Sequence, residues 1–542
     1  MVKRKPSAGS DLRTNSIALS LQRYDTKSLK AQNWGIQHLQ PFFPAIQKLF
    51  KTEVRDSPQE FGFRVNEGIA TILDAESIRT TKGNTVAVHR KTTMLLSPYK
   101  WMQGDYGTSL GLPTTEEESA EIWRKIQDPN NAAYVGALLS VVLAQSGCPH
   151  FPKVYGVFTG VSEKHTIDIS DDYADLSERS WFSSNIGKTF EVKVSDEVHT
   201  GFSHTRGARV SVLLGEDAVL EGVQEMVVEN VVAEPAEMNQ MMRDSDEEDD
   251  DESDSSSVST SYVFGIKSCD CESDDEDSQE NEDDDEDGEP FAWASFTNVP
   301  VQITVMEKCT GTFHELCETT TDSTKHLAWI SQVIFALAYA QRNYSFTHND
   351  LHSNNVMYVP TDREFMYYNC AGVFYRVPTY GYLIKLIDFE RGIGSVKIIG
   401  MKEPKLFMSD HFSIEEEAGG QYNFEPWYIS KHPEIKPNPS FDLVRLATSM
   451  FWDLFPEGPD CLEYGTNPVF LRFIKWMTTE NNDSVLFGKD EAKHDRYHGF
   501  YLYKAIARLC KNAVPRNEIL SLKSVYSIDS VPAGEDCCVI EA

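Results

Sequence analysis

One polar stretch constrains this chain more than any other: Phe346-Thr347-His348-Asn349-Asp350-Leu351-His352-Ser353-Asn354-Asn355-Val356. Upstream, Leu327, Ile330, Ile334, Leu337 and Gln341 recur at roughly helical spacing behind Asp322 and Ser323, residue types that cap helices. Downstream, the runs Val356–Val359, Phe365–Tyr368, Val373–Val377 and Tyr382–Ile387 read as strands, and the last leads into Asp388-Phe389-Glu390. The segment is therefore a loop that a long buried helix delivers at a fixed height, followed by a hairpin-rich return.

The order of helix, His-x-Asp loop with a later Asn, strands and Asp-Phe suits phosphoryl transfer from ATP. A carboxylate must orient the acceptor hydroxyl and take its proton, and Asp350 fits that role. Magnesium takes oxygen ligands; Asn355, five residues on, offers a neutral amide oxygen, and Asp388 a charged one. Little covalent work is left to the protein, so positioning and charge neutralisation carry the rate. The competing reading is a zinc pair from His348 and His352 at i, i+4. Asn349, Asp350, Ser353, Asn354 and Asn355 are poor helix interior, and no third ligand completes that set.

On these residues the chain resembles the protein-kinase-like superfamily. His348-Asn349-Asp350-Leu351-His352-Ser353-Asn354-Asn355 looks like its catalytic loop, and Asp388-Phe389-Glu390 like its metal-binding Asp-Phe-Gly turn with Glu in place of Gly. The longer context is similar to the serine/threonine-protein kinases of large DNA viruses, iridoviruses above all. The resemblance spans about residues 86–450 with gaps. It implies a lysine on the third strand of a small lobe, held by a helix glutamate and reaching the α/β-phosphates. Lys91, after Val86-Ala87-Val88, is assigned to that place, with Lys193 as its rival. The helix-like segment Asn131–Leu143 leads into Cys148–Phe158 as a C-helix leads into a fourth strand, but it holds no Glu; Glu116, Glu117, Glu118 and Glu121 lie upstream without clear register. Val301–Glu307 and the following Lys308-Cys309 look like the fifth strand and hinge, so backbone groups around Glu307 and Cys309 would face adenine. No Gly-x-Gly-x-x-Gly precedes them; Gly62 and Gly68 are a weak match, and Gly187-Lys188-Thr189 lacks the first Gly of a phosphate loop, Phe182 standing there. Asp442, in Phe441–Ala447, looks like the buried large-lobe Asp that braces the catalytic loop, with a helix cap as the equal alternative. Asn349 stands where many regulated kinases carry Arg, which implies activity without activation-loop phosphorylation.

Charge narrows the partners. The net charge is −34, and residues 244–289, with 23 acidic residues and one Lys, contribute −22 of it; the remainder, near −12, is ordinary. That acidity argues against general nucleic-acid or anionic-membrane binding, and the dense charge of 244–289 predicts a disordered solvating insert. Ser245 and Ser253 sit among its acidic residues, a context that acid-directed kinases prefer. The ten cysteines include no Cys-x-x-Cys and imply a reducing setting. No signal peptide, membrane span or prenylation box is legible, Val539 occupying the place of the prenylated Cys.

The expected fold class is α+β: a bilobal protein-kinase-like fold with an N-terminal extension and a disordered acidic insert. Its expected parts are a disordered basic N-terminus (1–16), an N-terminal extension (17–80) with helix-like apolar spacing over 17–55 (Leu19, Leu21, Leu39, Phe42, Phe43, Ile46, Leu49, Phe50) and short strand candidates from 56, a small lobe (81–306, including the insert 244–289), a large lobe (307–515) and a mobile tail (516–542). The expected activity is Mg2+- and ATP-dependent phosphorylation of serine or threonine on a protein substrate, in host cytoplasm or virion. Two alternatives stand beside it. His352 and Glu390 match small-molecule kinases of the aminoglycoside and choline type, and the missing Gly-rich loop admits a non-catalytic pseudokinase.

Overall fold

The computed structural model describes residues 18–41, 60–106, 122, 125–126, 128–198, 223–225, 290–414, 416, 418–428, 432–488, 495–497 and 499–541. The N-terminus 1–16, the acidic insert 244–289 with Ser245 and Ser253, and Glu116, Glu117, Glu118 and Glu121 lie outside them. The fold mixes helix and sheet, as an α+β class requires.

The first half is built on one antiparallel sheet. Its strands are β2 (Ile36–Gln40), β4 (Ile69–Ile72), β5 (Ser77–Thr80), β6 (Thr85–Met94), β7 (Val154–Asp168) and β10 (Pro290–Glu307); β1 (Leu21–Arg23) pairs instead with β3 (Phe61–Phe63). The spatial order is β2-β7-β10-β6-β5-β4, with β8 (Glu191–Val198) paired along the first part of β10 and β9 (Val223–Glu225) paired with β8. β10 is the central beam. Its fully buried apolar positions run Ala292, Ala294 and Phe296, then Val299, Val301, Ile303 and Val305. The period of two changes phase at Asn298, which absorbs the extra residue in a left-handed conformation (φ 54°). After helix α1 (Pro98–Gln103), helix α2 (Ala132–Gln145) lies on β7 and β10. It is apolar on nearly every side because it is covered on nearly every side.

Short helices α3 (Ser170–Ser177) and α4 (Ser180–Asn185) precede β8, and the chain leaves β10 through β11 (Gly311–Thr312) into α5 (Phe313–Glu318). Thr312 and Glu315 form a reciprocal capping box there. Helix α6 (Ser323–Tyr344) is capped by Asp322, whose carboxylate accepts the Thr324 amide at 2.9 Å. It ends at Ser345 in a left-handed turn (φ 48°) that releases the chain into the 346–356 segment. β12 (Val356–Pro360) and β15 (Tyr382–Leu386) then pair around the hairpin β13 (Phe365–Cys370) and β14 (Val373–Pro378). β16 (Ile393–Val396) pairs with β17 (Lys405–Met408), and helices α7 (Phe441–Leu454), α8 (Pro468–Met477), α9 (Phe500–Leu509) and α10 (Pro515–Ser521) complete the second half. Among the described residues no helix is long and apolar enough to cross a membrane.

Three expectations are corrected. Of the helix-like spacing over 17–55, residues 18–41 form strands and two 3-10 turns instead, because Lys30 and Gly35 take left-handed conformations (φ 59° and 65°), while Phe42, Phe43, Ile46, Leu49 and Phe50 lie outside the described residues. The boundary between 80 and 81 falls inside one sheet: the Lys82–Asn84 turn joins β5 to β6, so β2, β4 and β5 belong to the same unit as β6, β7 and β10. The segment 516–541 is folded. Ile519, Leu522 and Ile540 are buried, and β18 (Ser527–Ile528) and β19 (Cys537–Ile540) fill both open edges of the β13–β14 hairpin, β19 in parallel.

His150 ties the two halves together. It is fully buried; its Nδ1 lies 2.8 Å from the Ile384 carbonyl and its Nε2 2.7 Å from the Tyr368 hydroxyl. A neutral ring serves both, donating from Nδ1 and accepting at Nε2. Burial pushes its pKa down to about 4. The unfolded chain takes up this proton near pH 6.5, whereas the folded chain refuses it until about pH 4. This contribution to stability is therefore present above pH 6.5 and is lost as pH falls toward 4, amounting to about 3 kcal/mol. Denaturant titrations at pH 7 and pH 4.5 should give a His150→Gln variant that loses less stability on acidification than wild type; equal losses would contradict the assignment.

Candidate active site

The loop after α6 is held from below by one buried carboxylate. Asp442, at the start of α7, accepts the His348 amide at 2.9 Å and the Asn349 amide at 2.9 Å. The two readings of Asp442 are thus separated: its carboxylate serves the loop and not its own helix terminus. Burial raises its pKa, against the opposing pull of His348 and the two amides. Asn349, pinned in a left-handed conformation (φ 64°), sends its side-chain amide to the Arg391 carbonyl at 2.9 Å and accepts the Tyr422 hydroxyl at 2.6 Å. Such strain persists only where the surroundings over-determine it. His348 Nε2 bonds the Ile387 carbonyl at 2.7 Å, and its ring lies 5.4 Å from that of buried Phe389. His348 and His352 sit in a loop, not on a helix, so the zinc-pair geometry of i, i+4 does not arise. Among the described residues no group of three or more His, Cys, Asp or Glu converges.

Asp350, Asn355, Asp388 and Lys91 come together from three distant segments. Asn355 Nδ2 bonds the Asp350 carbonyl at 2.8 Å and His352 Nε2 at 3.1 Å. Its own carbonyl accepts the Ile387 amide at 3.0 Å, which brings Asp388 alongside. Asp388 is left-handed (φ 63°), and its Oδ1 lies 2.6 Å from Lys91 Nζ. The same ammonium lies 2.8 Å from Glu390 Oε1, which also takes the Thr93 hydroxyl. Burial works to lower the Lys91 pKa, but the two carboxylates hold it well above the usual lysine value. Burial likewise works to raise Asp388, and Lys91 outweighs it, keeping the group ionised.

Asp350 is held at Oδ1 by the Tyr503 hydroxyl at 2.6 Å and by Arg391 at 3.4 Å. Burial would raise its pKa, yet Arg391, His352, Arg445 and the Tyr503 bond bring it well below the ordinary carboxylate range. Tyr503, pushed up to about 12 by burial, lies between two guanidinium groups: Arg391 is 5.7 Å and Arg445 5.0 Å from its ring centre. Burial lowers His352 to about 4, so its ring is neutral and Nε2 accepts from Asn355. That bond fixes the orientation of the Asn355 amide.

Glu307 and Cys309 lie apart from this cluster, at the end of β10. Thr304 faces Lys91 across the β10–β6 pair and Glu307 is three residues further on. The Glu307 carboxylate is engaged with Lys385 Nζ at 3.0 Å and the Lys153 amide at 3.2 Å, so it is not a free ligand. Among the described residues, no backbone hydrogen bond uses the amide or carbonyl of Cys309. Burial pushes its thiol up to about 11. Lys193 sits on β8 opposite Trp293, and it is Lys91 that meets Asp388. Gly62 and Gly68 fall outside the β4–β5 turn, where Asp74 instead accepts the Glu76 amide at 2.9 Å.

A second ion cluster fixes the segment after Asp388. Asp410 accepts the Ala132 amide at the start of α2 at 2.9 Å and meets Lys125 at 2.5 Å, while Glu416 meets the same lysine at 3.0 Å. No protein-family model matches the chain, and neither does any curated protein.

Tyr503→Phe removes one hydrogen bond to a charged, buried acceptor and leaves the ring in place. It should lower stability by about 1–3 kcal/mol. An unchanged denaturation midpoint would refute the described role of the hydroxyl.

Proposed function

We propose that this chain is an ATP- and Mg2+-dependent serine/threonine protein kinase with a bilobal protein-kinase-like fold. The observation that carries the reading is the chain of contacts Lys91–Asp388, Ile387–Asn355 and Asn355–Asp350, which gathers a phosphate-binding cation, two metal-binding oxygens and a base at one point. In this reading β4, β5 and β6 are the first three small-lobe strands, with Lys91 on the third. α2 is the C-helix, β7 and β10 are the fourth and fifth strands, and α5 onward is the large lobe.

The donor set fits a magnesium–nucleotide pair. Among the described residues no hydrogen bond uses Asn355 Oδ1 or Asp388 Oδ2, and Asn355 cannot turn its amide without losing the His352 and Asp350 bonds. Magnesium accepts one or two such protein oxygens and takes the rest from water and phosphate. When bound, it neutralises charge on the phosphate oxygens. Lys91 would hold the α/β-phosphates, and the unused backbone of Cys309 would face adenine. Among the described residues no hydrogen bond uses Asp350 Oδ2, so an acceptor hydroxyl can donate there while Tyr503 and Arg391 hold Oδ1. So acidic a carboxylate orients the hydroxyl first and takes its proton only as the new P–O bond forms. The Leu73–Glu76 turn stands where kinases keep their Gly-rich loop and contains no glycine.

His352 and Glu390 support a second reading, transfer to a small cationic alcohol, because both have specific partners in the cluster. Labelled γ-phosphate transfer to a protein panel and a small-alcohol panel separates the two. Asp350→Asn should cut transfer about a hundred- to ten-thousandfold while leaving ATP binding intact. Asp388→Ala should remove the magnesium dependence of ATP binding. Absence of any thermal shift with Mg-ATP would favour the pseudokinase and overturn both.

Asn349 is satisfied by Tyr422 and Arg391, and Asp410 and Glu416 supply fixed negative charge where a phosphate could otherwise order this segment. Phosphatase treatment should therefore leave transfer activity within twofold of the untreated protein; its loss would refute this part.

A further inference from the structure

Helix α2 carries no glutamate, although the reading above asks for one beside Lys91. Its interior holds Gly136, in a helix otherwise made of good or β-branched packers. A Cβ at Gly136 would come within 2.8 Å of Glu390 Cγ and 3.2 Å of both the Glu390 Cα and its amide nitrogen. Glycine weakens a helix interior relative to alanine, and here it admits the stem of another residue. That stem leads to Oε1, 2.8 Å from Lys91 Nζ and in contact with the Thr93 hydroxyl. Lys91 and Thr93 are two apart on β6 and so share a face of the strand, which Glu390 spans.

We propose that Glu390 is the positioning residue that aligns Lys91, taking the part a carboxylate on α2 would play, and that Gly136 is the helix position left bare to admit it. The proposal rests on the phosphotransfer reading and deepens it. Asp388 contacts Lys91 too, but magnesium would compete for its carboxylate; Glu390 keeps the ammonium in place when Asp388 turns to the metal. Alignment of Lys91 then depends on the 388–391 segment and not on rotation of α2, since Glu390 lies on that segment and α2 carries no carboxylate.

The test compares wild type, Glu390→Gln, Glu390→Gly and the relocation variant Glu390→Gly with Gly136→Glu, using full-length protein and Mg-ATP as the probe. Glu390→Gln keeps the shape and an acceptor for Thr93. It should lower kcat/KM for ATP ten- to a hundredfold with little change in Tm, a split that a merely structural role would not produce. Relocation should recover at least tenfold over Glu390→Gly alone. Wild-type kinetics in Glu390→Gln beside an active wild type would overturn this inference and leave the kinase reading standing. A folded relocation variant no better than Glu390→Gly would overturn the role given to Gly136. A wild type that neither binds ATP nor transfers phosphate would overturn the kinase reading and this inference with it.

Discussion

The carboxylate of Asp442 is the constraint on which the candidate site depends. It is fully buried and accepts two consecutive backbone amides, those of His348 and Asn349. Two donors on one carboxylate fix both the height and the direction of the loop. Asn349 is then forced into a left-handed conformation, and its side chain turns to meet Tyr422 and the Arg391 carbonyl. The segment carrying Asp388, Glu390 and Arg391 is thereby tied to the loop carrying Asp350. Removing a buried, hydrogen-bonded carboxylate leaves such amides without partners, a cost of about 1–3 kcal/mol for each one stranded.

Above that brace, charge is arranged in pairs that oppose burial. Lys91 faces Asp388 and Glu390, while Asp350 faces Arg391 with Arg445 close by. Burial alone would drive Lys91, Asp388 and Asp350 toward their neutral forms, and their neighbours keep all three charged. The result is a group of carboxylates around one ammonium held in place by protein contacts alone, the preorganisation that the proposed phosphotransfer would need. The Lys125–Asp410–Glu416 cluster does similar work at the other end of the same segment, anchoring it to the start of α2.

Local order was legible in the sequence: the long helix α6 and its Asp322 cap, the loop with Asp350 and Asn355, and the hairpin before Asp388 can all be read from spacing and residue type. What escaped was set by distance along the chain. Lys91 meets Asp388 across 297 residues, and Tyr503 meets Asp350 across 153, so no window of sequence contains either pair. Glu390 was visible as a departure from glycine in the Asp-Phe turn, but its partner was not, because the clue is the missing side chain at Gly136. The strands β4 and β5 are four residues each, too short for alternation to declare itself. The apolar residues of 516–541 follow no sustained period of two or 3.6, and the segment folds because the β13–β14 hairpin offers two edges for it to fill.

The length of β10 has a consequence for long-range repulsion. Its 18 residues run from Pro290, where the acidic stretch rejoins the fold, to Glu307 beside the expected adenine contact. At about 3.3 Å per residue this separates the two ends by roughly 55 Å. The screening length in physiological salt is only about 8 Å. Pro290, the first described residue after the acidic stretch, is thus several screening lengths from the end of β10 that, in the proposed reading, would receive an anionic nucleotide. The sheet thus sets Pro290, where the described chain resumes, farther from that cluster than screened repulsion reaches.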